Sequence, residues 1–193
     1  MKELFQNIEN ICLSGGAEGA DLQWGMCAGL MGHNVIHWSF NGHKSKAPDS
    51  ELVRLDDKQL KEANASIKAA ALIVKKQVPV KKWVLNLIQR NYYQVAWSDS
   101  VYVVSEIKDN IVQGGSGWAV YMYLNRITEL DFIPNCYVFC QVHNSWYKWN
   151  NGIFEVIELP PKPSGIWAGI GSRDLKQNGK DAIRYLTNFV KPT

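Results

Sequence analysis

The chain has 193 residues, of which 46% are hydrophobic and 20% are charged, and its formal net charge is +3. A helical membrane protein is excluded, because no apolar run approaches the about 20 residues that span a bilayer, and so small a charge does not require a nucleic-acid partner. The start MKELFQNIEN is too polar for a secretory signal. We therefore expect one soluble, cytoplasmic domain over residues 1–193, with no membrane partner and with nucleic acid disfavoured as a partner.

The four cysteines are scattered among apolar neighbours, at Cys12, Cys27, Cys136 and Cys140. They form no C-x-x-C pair, which disfavours zinc or thioredoxin-like chemistry, and buried reduced thiols fit the cytosol. His33 and His37 are four residues apart, but on a strand that spacing spans roughly 13 Å, too far to share one metal ion. The sequence therefore predicts neither a metal site nor a cofactor.

The first half of the chain predicts a strand, a helix, a second strand and two long helices, in the segments NICLS, DLQWGMCAGLMG, NVIHWSF, SELVRLDDKQLKEANASIKAAALIVKK and VKKWVLNLIQRNYYQVAWS. In the first helix the apolar stripe is Leu22, Met26 and Leu30, and Gly32 is the expected C-cap. Pro79 begins the last of these helices.

The second half predicts a strand, a glycine loop with a helix, a strand, a hairpin, a strand and a closing helix, in SVYVVSEI, NIVQGGSGWAVYMYLNRI, CYVFCQVH, SWYKWNNGIFEVIEL, IWAGIGSRDL and NGKDAIRYLTNFV. The hairpin, over about residues 145–159, turns at Asn150-Asn151-Gly152. Strands that alternate with helices predict an α/β fold with a doubly wound, mostly parallel sheet and an added β-hairpin.

Three of these strands end in glycine-rich turns, over residues 14–19, 114–117 and 169–173. In parallel sheets ligands bind at the carboxyl ends of the strands, where the strand order reverses. Glycine admits a phosphate close to the backbone N–H groups, and a helix N-terminus supplies further donors and a partial positive charge. The first two turns match neither the P-loop nor the G-x-G-x-x-G pattern. We expect a phosphate site of a different kind, to which Arg173 adds a bidentate contact.

The candidate ligand contacts are Ser14, Gly15, Gly16, Glu18, Gly19, Asp21, Trp38, Asn41, Asn91, Gln94, Gly114, Gly115, Ser116, Gly117, Trp118, Gly171, Ser172 and Arg173. Asp21 is equally an N-cap or a partner for a ribose hydroxyl. Asn91 and Gln94 lie three apart on one helix face, where they read a base edge or cap a loop. Tryptophans beside glycines, such as Trp24 and Trp118, either pack in the core or stack on a base.

Four of these segments, LSGGAEGADLQW, IHWSFNGHKS, RNYYQVAWSDSVYVVSE and GGSGWAVYM, together resemble the SLOG superfamily of Rossmann-like nucleotide-ligand domains. That group includes DNA-processing protein A and the LOG phosphoribohydrolases, and the nearest resemblance is to small phage and bacterial members. Such members open with GIGSR, which here lies near the far end at residues 169–173. The resemblance therefore implies a circular permutation in which strand 166–170 pairs in parallel beside strand 11–14.

The resemblance implies binding of a nucleotide derivative, either ADP-ribose-like or cyclic. Hydrolytic members carry P-G-G-x-G-T-x-x-E, and here Gln113, Trp118 and Tyr121 replace the proline, the threonine and the final glutamate. Because a tyrosine cannot replace the carboxylate, we expect a noncatalytic binder, and a phage sponge that sequesters a host immune signal is one hypothesis. Two alternatives stay open: a nucleotide N-glycosidic or phosphodiester hydrolase using Glu18 or Asp21, and a single-stranded DNA binder, which the mild charge disfavours.

The predicted hairpin carries four large aromatic residues, Trp146, Tyr147, Trp149 and Phe154. It lies outside the part of the chain that resembles the family, so it is expected to protrude. Exposed aromatic side chains on a protruding ribbon are typical of an interface. We therefore expect a homodimer or a higher homo-oligomer, unless these rings fold back on their own domain.

Overall fold

The computed structural model describes Phe5, residues 8–128 and residues 132–187. The strands are β1 (Ile11–Ser14), β2 (Asn34–Phe40), β3 (Leu52–Leu55), β4 (Ser100–Ser105), β5 (Ile107–Lys108), β6 (Ile111–Val112), β7 (Asn135–Cys140), β8 (Ser145–Asn150), β9 (Ile153–Ile157) and β10 (Ile166–Gly171). The α-helices are α1 (Ala20–Leu30), α2 (Asp57–Glu62), α3 (Asn64–Val74), α4 (Lys82–Val95), α5 (Gly114–Leu124) and α6 (Gln177–Leu186).

One eight-stranded sheet forms the centre of the fold, in the order β3-β2-β1-β10-β4-β7-β8-β9. The first six strands in that order run parallel, and β8 and β9 continue the sheet as an antiparallel hairpin. The α/β class with a mostly parallel, Rossmann-like sheet is confirmed. The predicted pairing of the last strand is also confirmed, because Ile11 lies opposite Ile166 and Leu13 lies opposite Ala168 in parallel register.

The strand order reverses between β10 and β4. Starting from β10, the sheet proceeds outward through β1, β2 and β3 on one side, and through β4 and β7 on the other. At such a reversal the flanking connections leave on opposite sides and open a crevice at the carboxyl ends of the strands. The last strand in the chain therefore occupies the central place in the sheet, beside the crevice.

Helices cover both faces of the sheet. Alternate residues of β4 separate the two layers, since Tyr102 and Val104 pack towards α1 and α6, whereas Val101 and Val103 pack towards α3, α4 and α5. Trp24 lies on the buried face of α1. It is fully buried, and its Nε1 donates to the Ile170 carbonyl at 3.2 Å. No helix in the described parts of the chain has the length and apolar character needed to cross a membrane.

Three predictions about individual helices are wrong. Pro79 does not begin the last helix of the first half, because α4 starts at Lys82 and its N-cap is Lys81. The segment from Ser50 was predicted as one helix, but it contains β3, whose residues pair with β2 in parallel. A capping box then begins α2, because Asp56 Oδ1 accepts from the Gln59 N–H and Gln59 Oε1 accepts from the Asp56 N–H, both at 2.8 Å. In α1 the predicted apolar stripe is mostly outside, with Met26 and Leu30 exposed, because small residues let the helix pack closely around Trp24 instead.

The hairpin β8–β9 turns at Asn151 and Gly152, both with positive φ, as expected. It does not protrude: Trp146 and Phe154 are buried, and Tyr147 and Trp149 pack against the core of the same domain. The expectation that the hairpin protrudes with exposed aromatic side chains is therefore wrong, and the homodimer stays a prediction. A second hairpin, β5–β6, was not predicted and follows β4 directly.

Candidate ligand-binding site

A cavity of about 610 Å³ opens at the carboxyl edge of the sheet, where the strand order reverses. Residues that follow β1, β4, β7 and β10 form its floor, and α4 and the first turn of α5 form one wall. Of the predicted contacts, the cavity is lined by Glu18, Asp21, Asn91, Gln94, Gly114, Gly115, Ser116, Gly171, Ser172 and Arg173. The sequence offered these ten residues as contacts from separate segments, and the structure brings them together at one edge of the sheet.

A buried ion pair lies at the bottom of the cavity. Arg90 Nη1 donates to Asp21 Oδ2 at 3.1 Å, and the side chains are 4% and 9% exposed. The Asp21 carboxylate also accepts from Gln94 Nε2 at 3.3 Å and from the Gly171 N–H at 3.1 Å. Burial raises the pKa of Asp21, while the Arg90 charge and these hydrogen bonds oppose that shift. The carboxylate thereby joins α1, α4 and the end of β10. This structural role differs from both roles predicted for Asp21, the N-cap and the partner of a ribose hydroxyl.

Arg90 lines the cavity and was missed by sequence reasoning. Its Nε is buried and has no hydrogen-bond partner among the described residues, although the side chain lines the cavity. Leaving such a donor unpaired is costly, and the guanidinium charge itself lies beside the cavity, paired with Asp21. A signal was present in the sequence, because Arg90 precedes Asn91 and lies one helical turn before Gln94.

Gly15 explains why this pair fits beneath the first glycine turn. A β-carbon at Gly15 would overlap both the Arg90 guanidinium and the Asp21 carboxylate. Glycine is therefore required here to seat the ion pair against the backbone, and not to admit a phosphate. The backbone of Gly16 is also engaged within the protein, because its carbonyl accepts from the Lys46 N–H and from Ser45 Oγ, both at 2.9 Å.

The N-terminus of α1 is covered by the loop that follows β10. The Ala20 N–H donates to the Ser172 carbonyl at 3.0 Å, and a β-carbon at Gly19 would contact the backbone of Ser172 and Arg173. The donors that the sequence assigned to a phosphate here are thus partly used within the protein. The first glycine turn has a packing function, since Gly15, Gly16 and Gly19 do not line the cavity.

The N-terminus of α5 is open to the cavity. Gly114 and Gly115 are exposed, no side chain caps the helix at Gln113, and β-carbons at both glycines would meet open space. The first N–H groups of a helix have no partner within it, and they favour an anion. Asn91 Nδ2 donates to the Gly115 carbonyl at 3.2 Å and holds α4 beside this turn.

The remaining predicted contacts lie away from the cavity lining. Trp38 is fully buried, and the centre of its ring lies 5.4 Å from that of Tyr93. Trp118, a residue of α5, is buried in the hydrophobic core. Ser14 is buried, and its hydroxyl donates to the Gly169 carbonyl at 2.6 Å. Gly117 packs on the Val112 carbonyl, and Asn41 is exposed beyond β2.

The cavity carries charges of both signs. Besides the paired Arg90, its cations are Arg173 and Lys176, and its unburied acids are Glu18, Glu106 and Asp174. Gln141 orders the loop before α6, because Oε1 accepts from the Lys176 N–H at 2.7 Å and Nε2 donates to the Asp174 carbonyl at 3.1 Å. A ligand that fits this lining has anionic groups beside neutral hydrogen-bonding groups.

Tyr121, which stands where the hydrolytic pattern has its glutamate, faces away from the cavity. It is 2% exposed in the core cluster, and its hydroxyl donates to the Asn110 carbonyl at 3.3 Å. Burial raises the pKa of this phenol, so it stays neutral. Among the described residues no group of three or more His, Cys, Asp or Glu side chains is arranged to hold a metal ion.

His37 lies beneath the first glycine turn, and we expect it to make folding stability depend on pH. It is 1% exposed, and burial together with the Arg90 charge lowers its pKa from 6.5 to about 4. The Glu51 carboxylate lies 3.4 Å from His37 Nε2 and favours the charged ring, so it opposes this lowering of the pKa. Below pH 6.5 the unfolded chain takes up a proton that the folded chain does not, so stability falls as the pH falls towards 4. From pH 7.5 to 4.5 we expect His37 to contribute a loss of roughly 2–3 kcal/mol in urea denaturation.

The variant His37→Gln separates this contribution from the rest of the chain. It removes the titrating group, so its unfolding free energy should fall less steeply over the same pH range. His43, whose pKa is also lowered to about 4, supplies a remaining slope in both proteins. Equal slopes for the wild type and the variant would show that His37 is not held neutral.

Comparison of the chain with protein-family models, with curated proteins and with solved structures finds no match.

Proposed function

We propose that this protein binds a phosphorylated, nucleotide-derived small molecule in the cavity at the carboxyl edge of the sheet and does not convert it. The observation that carries the proposal is the meeting of two anion-binding features in one cavity. The open N-terminus of α5 lies on one side, and the positive charge of Arg90, which is paired with Asp21, lies at the bottom.

The phosphate is assigned to the first turn of α5. The N–H groups of Gly114, Gly115 and Ser116 belong to the first turn and have no partner within the helix. The absence of side chains on the two glycines permits close approach. Arg173 and Lys176 face the same cavity from the loop after β10 and add positive charge. This arrangement favours an anion without requiring a P-loop or a basic stripe on the surface.

A binding role is favoured over hydrolysis by the state of the buried acid. Asp21 accepts hydrogen bonds from three donors, which leaves it poorly placed to exchange a proton with a substrate. Tyr121 contributes no chemistry because it lies in the core. Glu18 and Glu106 are exposed at the cavity and are assigned to hydrogen bonds with neutral groups of the ligand, since a carboxylate repels a phosphate.

The fold supports, as a further part of the proposal, that the chain is a circularly permuted member of the SLOG superfamily. The last strand lies between β1 and β4, where a doubly wound sheet has its first strand. The segment GIGSR thus lies beside SGGAEGAD at one edge of the sheet, as the resemblance implies.

The proposal is tested by calorimetric titration with ADP-ribose, AMP and a cyclic dinucleotide. At least one of these compounds should bind the wild type, and Arg173→Ala should weaken that binding by about 1.5–3 kcal/mol, the usual contribution of a hydrogen bond to a charged group. Arg54→Ala is the matched control, because Arg54 is exposed on β3 and pairs with Asp49 outside the cavity. The proposal fails if none of the compounds binds at millimolar concentration.

The variant Tyr121→Phe tests the noncatalytic part of the proposal. It removes one hydrogen bond to the Asn110 carbonyl, so we expect a stability loss of about 1 kcal/mol and unchanged ligand affinity. Thermal denaturation and the same titration measure the two quantities. If the wild type turned over a nucleotide and Tyr121→Phe abolished that turnover, the protein would be an enzyme.

A further inference from the structure

We infer that the cavity recognises the phosphorylated sugar of its ligand and leaves the base without specific contacts. This inference rests on the proposed function and specifies which part of a nucleotide the site reads. The property that points to it is the chemistry of the lining, which combines anion donors with carboxylates and amides but offers no aromatic surface among the described residues.

Most of the described tryptophans lie in the interior, and the exposed Trp83 and Tyr185 do not line the cavity. Trp24, Trp38 and Trp167 are fully buried, and Trp118 and Trp146 are 5% exposed in the two core layers. The cavity wall has aliphatic side chains where a base-binding site commonly has a ring, namely Leu87, Ala119, Val142 and Ile170. Such side chains contact any base similarly, so they do not select one.

The polar lining is suited to a sugar that carries hydroxyl groups. Glu18 follows β1 and Glu106 follows β4, so two carboxylates reach the cavity from strands on either side of β10. Carboxylates accept from vicinal hydroxyl groups and disfavour a phosphate, which places the sugar between them and the phosphate at α5. Asn91 and Gln113 also line the cavity, and the amide NH2 group of each donates to a backbone carbonyl, which leaves the side-chain oxygen as an acceptor.

The experiment compares fragments of one nucleotide by calorimetric titration of the full chain. Ribose 5-phosphate, AMP, GMP, UMP and adenosine are titrated separately. Stacking of a base on one aromatic ring would make AMP bind about 5- to 150-fold more tightly than ribose 5-phosphate. We expect the four phosphorylated compounds to agree within about threefold and adenosine to show no binding.

Two outcomes overturn the inference while the proposed function survives: measurable binding of adenosine, or a preference above about tenfold for one nucleotide over ribose 5-phosphate. If none of the five compounds binds but ADP-ribose or the cyclic dinucleotide does, the inference is also overturned and the proposed function survives; if those two also fail to bind, the proposed function fails. The double variant Glu18→Gln, Glu106→Gln tests the sugar contacts, and it should weaken ribose 5-phosphate about tenfold. Pyrophosphate should bind the variant at least as tightly as the wild type, because two repelling charges are gone. Glu155→Gln, on the exposed side of β9, is the control. Unchanged affinity of the double variant for ribose 5-phosphate would remove the two carboxylates from the sugar site.

Discussion

Replacing Arg90 with alanine is expected to lower the free energy of unfolding by about 3–5 kcal/mol. The guanidinium is the charge that compensates Asp21, whose side chain is 9% exposed. Without it, Asp21 remains a buried anion that is only partly compensated, or it becomes protonated. A protonated carboxyl group no longer accepts well from both Gln94 Nε2 and the Gly171 N–H. Urea denaturation of the wild type and the variant at pH 7.5 measures the difference.

The control for this prediction is Arg54→Ala. The pair of Arg54 with Asp49 has a shorter distance, 2.7 Å, but its side chains are 59% and 85% exposed, so its loss should cost less than about 1 kcal/mol. The double variant Asp21→Ala, Arg90→Ala should be less destabilised than the two single effects added together, since the unpaired charge is gone. If Arg90→Ala costs no more than Arg54→Ala, the ion pair does not hold α1, α4 and β10 together.

Replacing Gly115 with valine is expected to abolish ligand binding and to leave the fold intact. A β-carbon at this position would meet no protein atom within 4 Å, so the new side chain projects into the cavity, in front of the N–H groups assigned to the phosphate. The helix tolerates the change because glycine is itself a poor helix former, and stability should shift by less than about 1 kcal/mol. Calorimetric titration and thermal denaturation measure the two effects.

Gly29→Val is the matched control for this variant. Gly29 is also an exposed glycine in a helix, a β-carbon there would also meet open space, and it lies outside the cavity lining. It should change stability by a similar amount and leave ligand affinity unchanged. Retained binding by Gly115→Val would show that the phosphate does not lie at the first turn of α5.

The sequence predicted the parts of the fold that depend on local patterns. Continuous apolar runs identified the buried strands, and Asn151-Gly152 identified the hairpin turn, because few residues adopt its positive φ values. The position of β10 in the sheet was predicted from the permuted order of the segments that resemble the SLOG superfamily, and not from any local property of the strand. The missed strand β3 is four residues long and is followed directly by a helix, so the helical spacing of apolar residues extends across it. The capping box formed by Asp56 and Gln59 marks the true start of the helix.

The candidate site was predicted less completely, because its parts come from distant segments. Gly15 is adjacent in sequence to a helix N-terminus, which suggested a phosphate, whereas in the fold it faces Arg90, which is 75 positions away in the chain (90 − 15). Trp38 ends a strand at the correct edge, but its side chain alternates into the core, where it packs on Tyr93. Pairwise contacts of this kind depend on how helices cover the sheet, which no single segment encodes.

The most direct test of the central claim is the chemical state of ligand that the protein releases. The wild type and Gly115→Val are each incubated with the compound that binds most tightly in the titrations, separated from free compound, denatured, and analysed by mass spectrometry. We expect the wild type to release the intact compound in near-stoichiometric amount and Gly115→Val to release none. Release of a cleaved product by the wild type, or equal release of intact compound by both proteins, would contradict a noncatalytic phosphate site at the N-terminus of α5.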